Sequence, residues 1–194
     1  MTRNPCSVLG ALVFGNTLCL CLVAGWAQEQ PQFPGPEKEH AFLKRFVGQW
    51  ETISECIVGP GQPPMKCEGS IDSKMLGEFW VLNQTEGTMA ETTVTALQTL
   101  GYDPQKKKYI GTWVDSMVNH MWKSEGTVDG STLTLEAEGP NFMAAGKLAK
   151  FRDIYEFKSA NEIALSSSIL GEDGKWITFV TGTAKRKSVD PSTR

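Results

Sequence analysis

Histidine is nearly absent from this chain of 194 residues, with only His40 and His120 present. A zinc site with three protein ligands cannot be assembled from histidine alone. No G-x-S-x-G, P-loop, G-x-G-x-x-G or H-E-x-x-H pattern occurs, so the common hydrolase, nucleotide and zinc-protease signatures are missing. Ser166-Ser167-Ser168 has no local pattern that would mark an activated nucleophile. No metal or cofactor is expected. A basic stripe is missing too. Lys106-Lys107-Lys108 is the single basic run before the tail, and after Asp103-Pro104 it reads as a solvated turn. With 19 Lys+Arg against 22 Asp+Glu, this argues against nucleic acid as a partner. Beyond residue 27 no apolar run is long enough to span a membrane, which takes about 20 residues. No repeat and no second domain can be discerned.

What is present begins with a leader. Arg3 supplies a positive start, Val8 to Ala24 is mostly apolar and uncharged, and Gly25-Trp26-Ala27 places small residues ahead of Gln28. This is the layout of a cleaved secretory signal peptide over residues 1–27. The apolar stretch is short for an uncut anchor and is interrupted by Gly15-Asn16-Thr17. Cys19 and Cys21 each follow a leucine, where a lipid-attachment motif wants a small residue. The expectation is therefore a secreted or periplasmic protein. Cleavage removes one arginine and no acid, which moves the net charge of −3 one unit further negative. It also removes three of the five cysteines and leaves Cys56 and Cys67. A remaining pair in an exported chain reads as a disulfide, the alternative being two buried thiols.

Residues 28–36 (QEQPQFPGP) form an extended lead-in. In EKEHAFLKRFVG, Phe42, Leu43, Phe46 and Val47 recur at helical spacing, acids precede Lys44-Arg45, and Gly48 is a stop signal. The pattern predicts one short helix whose apolar side closes one end of a β-structure. After Trp50, about ten short runs rich in Thr, Val, Ile and aromatics alternate with turn clusters such as GPGQPP, DPQKK, DGS, SAN and GEDG. The spacing predicts an all-β, antiparallel, up-and-down architecture over residues 37–187, with residues 188–194 a disordered tail. Two faces mix polar and apolar residues: Thr93, Thr95, Leu97 and Thr99, and Asn161, Ile163, Leu165, Ser167 and Ile169. Such mixing suits a barrel with a wet lumen better than a dry sandwich.

The stretch KYIGTWVDSMVNHMW, Lys108 to Trp122, gathers the densest set of chemically useful side chains. By strand parity Tyr109, Gly111, Trp113 and Asp115 share a face. If Trp113 faces the lumen, Asp115 does as well, and an ionised carboxylate there needs a partner. Arg152, in KLAKFRDIYEF, is the candidate partner. The expected ligand site is thus Trp113, Asp115 and Arg152, with Tyr109 at its margin. The plainer alternative is that Trp113 and Trp122 fill the interior while Asp115 satisfies a turn.

Four stretches together, PEKEHAFLKRFVGQWE, LGEFWV, TLGYDPQKKKYIGTWVDSM and GEDGKW, resemble the bacterial family called domain of unknown function 1579. The resemblance spans about Pro36 to Lys187. It implies a lipocalin-like β-barrel of the calycin type and no assigned activity. Gly48-Gln49-Trp50 is similar to the Gly-x-Trp that opens the first strand of calycin barrels. That likeness implies a structural pair in which Arg186, at the end of the last strand, packs over Trp50. The function expected is binding of a small, partly apolar molecule in the lumen. Two alternatives stand beside it: an enzyme using Asp115 or His120 as acid or base, and a ligand-free envelope interaction module whose lumen is filled by side chains.

Overall fold

Turn chemistry divides the chain into strands much as the sequence suggests. The computed structural model describes residues 34–57, 59 and 61–188. The expected leader, most of the lead-in and all but the first residue of the expected tail lie outside the described residues. Within Gly35–Arg194, which holds the fold, a helix α1 (His40–Leu43) continues as a 3₁₀ turn over Lys44–Phe46. Ten strands follow: β1 Gly48–Cys56, β2 Met65–Leu76, β3 Trp80–Met89, β4 Thr92–Asp103 and β5 Lys108–Asp115. The second half comprises β6 Trp122–Asp129, β7 Thr132–Pro140, β8 Leu148–Ser159, β9 Glu162–Leu170 and β10 Trp176–Arg186. Every neighbour in sequence pairs antiparallel, and β1 pairs with β10 to close the barrel. Closure leaves no strand edge unpaired.

The helix is shorter than the periodicity suggests. The backbone N–H groups of His40, Ala41 and Phe42 reach carbonyls three residues back, so the winding is tight before the α-helical turn begins. Only Val47 separates the 3₁₀ turn from β1. The chain must be extended by Gly48, whose φ of +129° is open to glycine and strained for other residues. A Cβ on Gly48 would also collide with the Arg186 guanidinium.

The helix plugs one end of the barrel. Leu43 and Phe46 are buried against Trp50, Leu100, Leu133 and Phe157, with Phe42 and Val47 partly buried beside them. The rings of Phe42, Phe46, Tyr109 and Phe157 meet edge to face at 4.9–6.3 Å, a favoured geometry for aromatic pairs. This end is a dry, packed core.

Strand parity decides what the rest of the lumen sees. On β9 the inward residues are Ile163, Leu165, Ser167 and Ile169, the mixed face read from the sequence. On β4 the face is the other one. Ala96, Gln98 and Leu100 are buried, and Leu97 is 42% exposed, so Thr93, Thr95, Leu97 and Thr99 form the outer wall. Alternation alone left the two faces of β4 nearly equivalent; the apolar plug holds Leu100 inside and so sets the parity.

Candidate functional site

Above the plug the lumen is not filled. A cavity of about 220 Å³ opens toward the end opposite the helix. An apolar cavity of about 150 Å³ already holds benzene, so this space suits a molecule of one ring or a little more. Its floor is Phe46 and Trp50, and its walls include Ile71, Trp113, Leu165 and Val180. Polar side chains interrupt this lining at Asn83, Gln98, Asp153, Tyr155 and Ser167.

Three of these form a bar across the lumen. Asn83 Nδ2 donates to Gln98 Oε1 at 2.8 Å, and Gln98 Nε2 donates to the Tyr155 hydroxyl at 2.9 Å. Asn83 and Gln98 face each other on β3 and β4, whereas Tyr155 belongs to β8 on a distant part of the wall. The bar leaves Asn83 Oδ1 buried without a partner, the residue being 4% exposed. A buried carbonyl without a hydrogen bond costs about 1–3 kcal/mol, so this atom is an acceptor awaiting a donor.

Asp153 is the carboxyl of the cavity. Ser167 donates to its Oδ1 at 2.5 Å, and among the described residues no Lys, Arg or His lines the cavity with it. Burial pushes its pKa above the usual carboxylate range, and the Ser167 hydroxyl offsets only part of that. Burial also raises the Tyr155 phenol, with the Asp153 charge adding to the effect and Gln98 opposing it. The phenol is thus a neutral hydrogen-bonding group.

The structure redistributes the residues singled out in the sequence. Trp113 does line the cavity. Asp115 shares its parity but stands at the end of β5, where its carboxylate serves the turn. Asp115 Oδ1 accepts from the backbone N–H groups of Met117 and Val118 at 2.8 and 2.9 Å, and Oδ2 accepts from Trp113 Nε1 at 2.9 Å. Arg152 points the other way. It pairs with Glu136 at 2.6 Å and lies 4.0 Å over the Trp176 ring, on the outer wall. The expected Asp115–Arg152 pair does not form, because the inward residues of β8 are its neighbours Phe151, Asp153 and Tyr155. Tyr109 is part of the plug and not of the cavity margin. It is 5% exposed, its hydroxyl donates to the Glu39 carbonyl at 2.9 Å, and burial pushes its pKa up to about 12. His120 packs edge to face on Trp122 at 5.0 Å and does not line the cavity.

At the closed end the Arg186 guanidinium lies 4.0 Å over the Trp50 ring. Its nitrogens donate to the carbonyls of Ala160, Val47 and Arg45. Trp50 Nε1 donates to the Phe46 carbonyl at 2.7 Å, which ties the helix to the cavity floor. Toward the mouth, Cys56 and Cys67 carry inward parity beside Ser54, a wall residue. Their Sγ atoms lie 3.0 Å apart. Burial and the neighbouring Cys56 push the Cys67 thiol up to about 12. Trp122, Phe142, Phe151 and Phe179 form an aromatic cluster that reaches the strand beside Cys56, where the Ile57 N–H donates to the Phe179 carbonyl at 2.7 Å. Gly139 permits this, since a Cβ there would occupy the space of the Trp122 indole.

Of the polar groups of the cavity, Asn83, Gln98, Asp153 and Tyr155 went unread in the sequence. The signal available was FRDIYEF on β8, where Phe151, Asp153, Tyr155 and Phe157 alternate as one face with aromatics at both ends. Those aromatics mark the inward face, and Asp153 shares it.

Among the described residues, no group of His, Cys, Asp or Glu is placed to hold a metal, and no helix is long and apolar enough to cross a membrane. The family model described as "Protein of unknown function (DUF1579)" matches residues 35–186, and the chain belongs to that family. Comparison with curated proteins finds no match. Among solved structures, the S-type phycobiliprotein lyase CPES from Guillardia theta is similar at 16% identity and a TM-score of 0.54. That likeness covers 82% of this chain and 100% of the lyase. Rv2717c from M. tuberculosis is similar at 9% identity and a TM-score of 0.54, covering 79% of this chain and 100% of that one. Likeness at these identities establishes the lipocalin-like barrel and nothing finer.

Proposed function

We propose that this DUF1579 member is an exported binding protein that holds a small, partly apolar molecule in its barrel. One observation carries this reading: the lumen is packed at the helix end and hollow beyond it. A scaffold with no ligand would gain stability by filling that space, because unfilled volume forfeits dispersion contacts. The wall supports it further. It mixes apolar side chains with polar groups converging from β1, β2, β3, β4, β8 and β9, the make-up of a ligand pocket with polar anchors. With Asp115 engaged in its turn and His120 off the wall, the acid–base alternative draws no support from their positions.

Native mass spectrometry of freshly purified protein, beside its denatured mass, tests the reading. A co-purified small molecule, or saturable quenching by small aromatic probes that depends on Trp113, is the expected result. No adduct and no quenching up to the solubility of the probes would overturn it.

Export rests on the leader pattern in residues 1–27. With it goes a bridge between Cys56 and Cys67, supported by their 3.0 Å approach and by the oxidising compartment that export implies. Amino-terminal sequencing of exported material should begin near Gln28; a start inside the apolar segment would refute cleavage there.

A further inference from the structure

The cavity's polar atoms are biased toward one chemistry. Asn83 Oδ1 is a buried acceptor with no partner among the described residues. Asp153 Oδ1 has one neutral donor, the Ser167 hydroxyl, and Oδ2 has no partner among the described residues. Among the described residues no cationic side chain lines the cavity to neutralise the carboxylate. The side chains that could have supplied a cation are engaged elsewhere: Arg152 with Glu136 outside, Arg186 over Trp50 below the floor. The rest of the lining is aromatic and aliphatic side chains with the neutral hydroxyls of Thr52, Ser54, Ser73, Thr85 and Ser166.

We propose that the lumen selects a protonated amine carried on an apolar body, its ammonium head taken by Asp153 and Asn83 and its body by Trp50, Trp113 and Leu165. This deepens the binding reading and rests on it. An ammonium offers three donors. It would supply the missing partner of the Asn83 carbonyl and the missing charge beside Asp153. A carboxylate ligand would meet an unpaired carboxyl and an orphan carbonyl in the same space. Ion pairing in a cavity shielded from water is stronger than at a surface, and a charge-assisted hydrogen bond contributes about twice what a neutral one does. The aromatic floor adds cation–π attraction. The amide bar has a direction. Reversed, it would turn the Asn83 amide nitrogen into the cavity and favour an acceptor in place of a donor.

The test is calorimetric titration of the full exported chain with three matched probes: 2-phenylethylamine, 2-phenylethanol and 3-phenylpropionate, at neutral pH. The amine should bind at least tenfold more tightly than the alcohol, and the carboxylate should bind most weakly. Asp153→Asn, nearly isosteric and still able to meet Ser167, should abolish the at least tenfold preference for the amine over the alcohol. Circular dichroism of the variant confirms that the barrel is intact, and wild-type selectivity alone decides the matter if it is not. An alcohol or carboxylate that binds as tightly as the amine would overturn the proposal and leave the binding reading standing. A preference for the amine that survives Asp153→Asn would overturn the role of Asp153. Failure of all three probes, with no co-purified molecule, would remove both.

Discussion

Gln98 on β4 hydrogen-bonds Tyr155 on β8 at 2.9 Å, joining two strands that share no ladder. This contact separates the packed end of the barrel from the hollow one. Tyr155 also touches Phe46 of the plug, their ring centroids 5.6 Å apart. The lumen's polar network and its apolar core are therefore coupled through one side chain.

Tyr155→Phe should remove the acceptor of Gln98 Nε2 and leave a buried amide unsatisfied. The expected loss is about 1–3 kcal/mol. Gln98→Leu in the Tyr155→Phe background should cost less than the sum of the two single changes, because polar groups then disappear in partners. Urea denaturation of the four proteins measures this, and strict additivity would show that the bar is not a unit.

Stability should depend on pH through Asp153. Its pKa is raised in the folded, empty protein, so the native state holds its proton more firmly than the unfolded chain does. The resulting stability is fully present below the ordinary carboxylate range and is lost as pH rises through the raised value. The groups near this carboxyl are Tyr155 on its own strand, Ser167 on β9 and Leu135 on β7, with Gln98 across the lumen and the two thiols toward the mouth. None of them is cationic. Asp153→Asn should therefore raise the melting temperature at neutral pH and change it little in strong acid. A variant less stable than wild type at neutral pH would contradict the sign.

Arg186→Met should destabilise the barrel by about 2 kcal/mol or more, since charge-assisted bonds to three carbonyls and the indole contact vanish together. Thermal unfolding measures the loss. A change under about 0.5 kcal/mol, the surface value, would make the Trp50 contact incidental.

Oxidising the purified protein should join Cys56 to Cys67 with little rearrangement and stabilise it by about 3 kcal/mol in the chain-entropy model. Non-reducing mass spectrometry reports the bridge, and denaturation with and without reductant reports its effect. Two thiols that persist after oxidation would show that the paired geometry is not reached.

Trp113→Phe should remove most of the fluorescence change on probe binding while preserving the fold, because most of the aromatic bulk remains. A response unchanged by the substitution would place the probe elsewhere.

The Trp50–Arg186 pair followed only from the calycin resemblance, whereas local patterns by themselves determined the ten strands, the hairpin order and the helix against the barrel end. Such features depend on neighbours in sequence: turn residues, period-two alternation and helical spacing leave a local record. Which face of a strand points inward leaves a weaker one. For β4 and β8 a one-residue shift exchanges the two faces, and both faces carry polar and apolar side chains. Parity alone leaves open whether Thr95 and Leu97 or Ala96 and Gln98 face the lumen, and the expected Arg152 gives way to its neighbour Asp153. Tertiary structure decided these, because the aromatic plug buries Leu100 and Phe157 and parity then propagates along each strand. The long-range bar from Asn83 through Gln98 to Tyr155, and the solitary carboxyl beside it, exist only once closure of β1 on β10 brings distant strands around a single cavity.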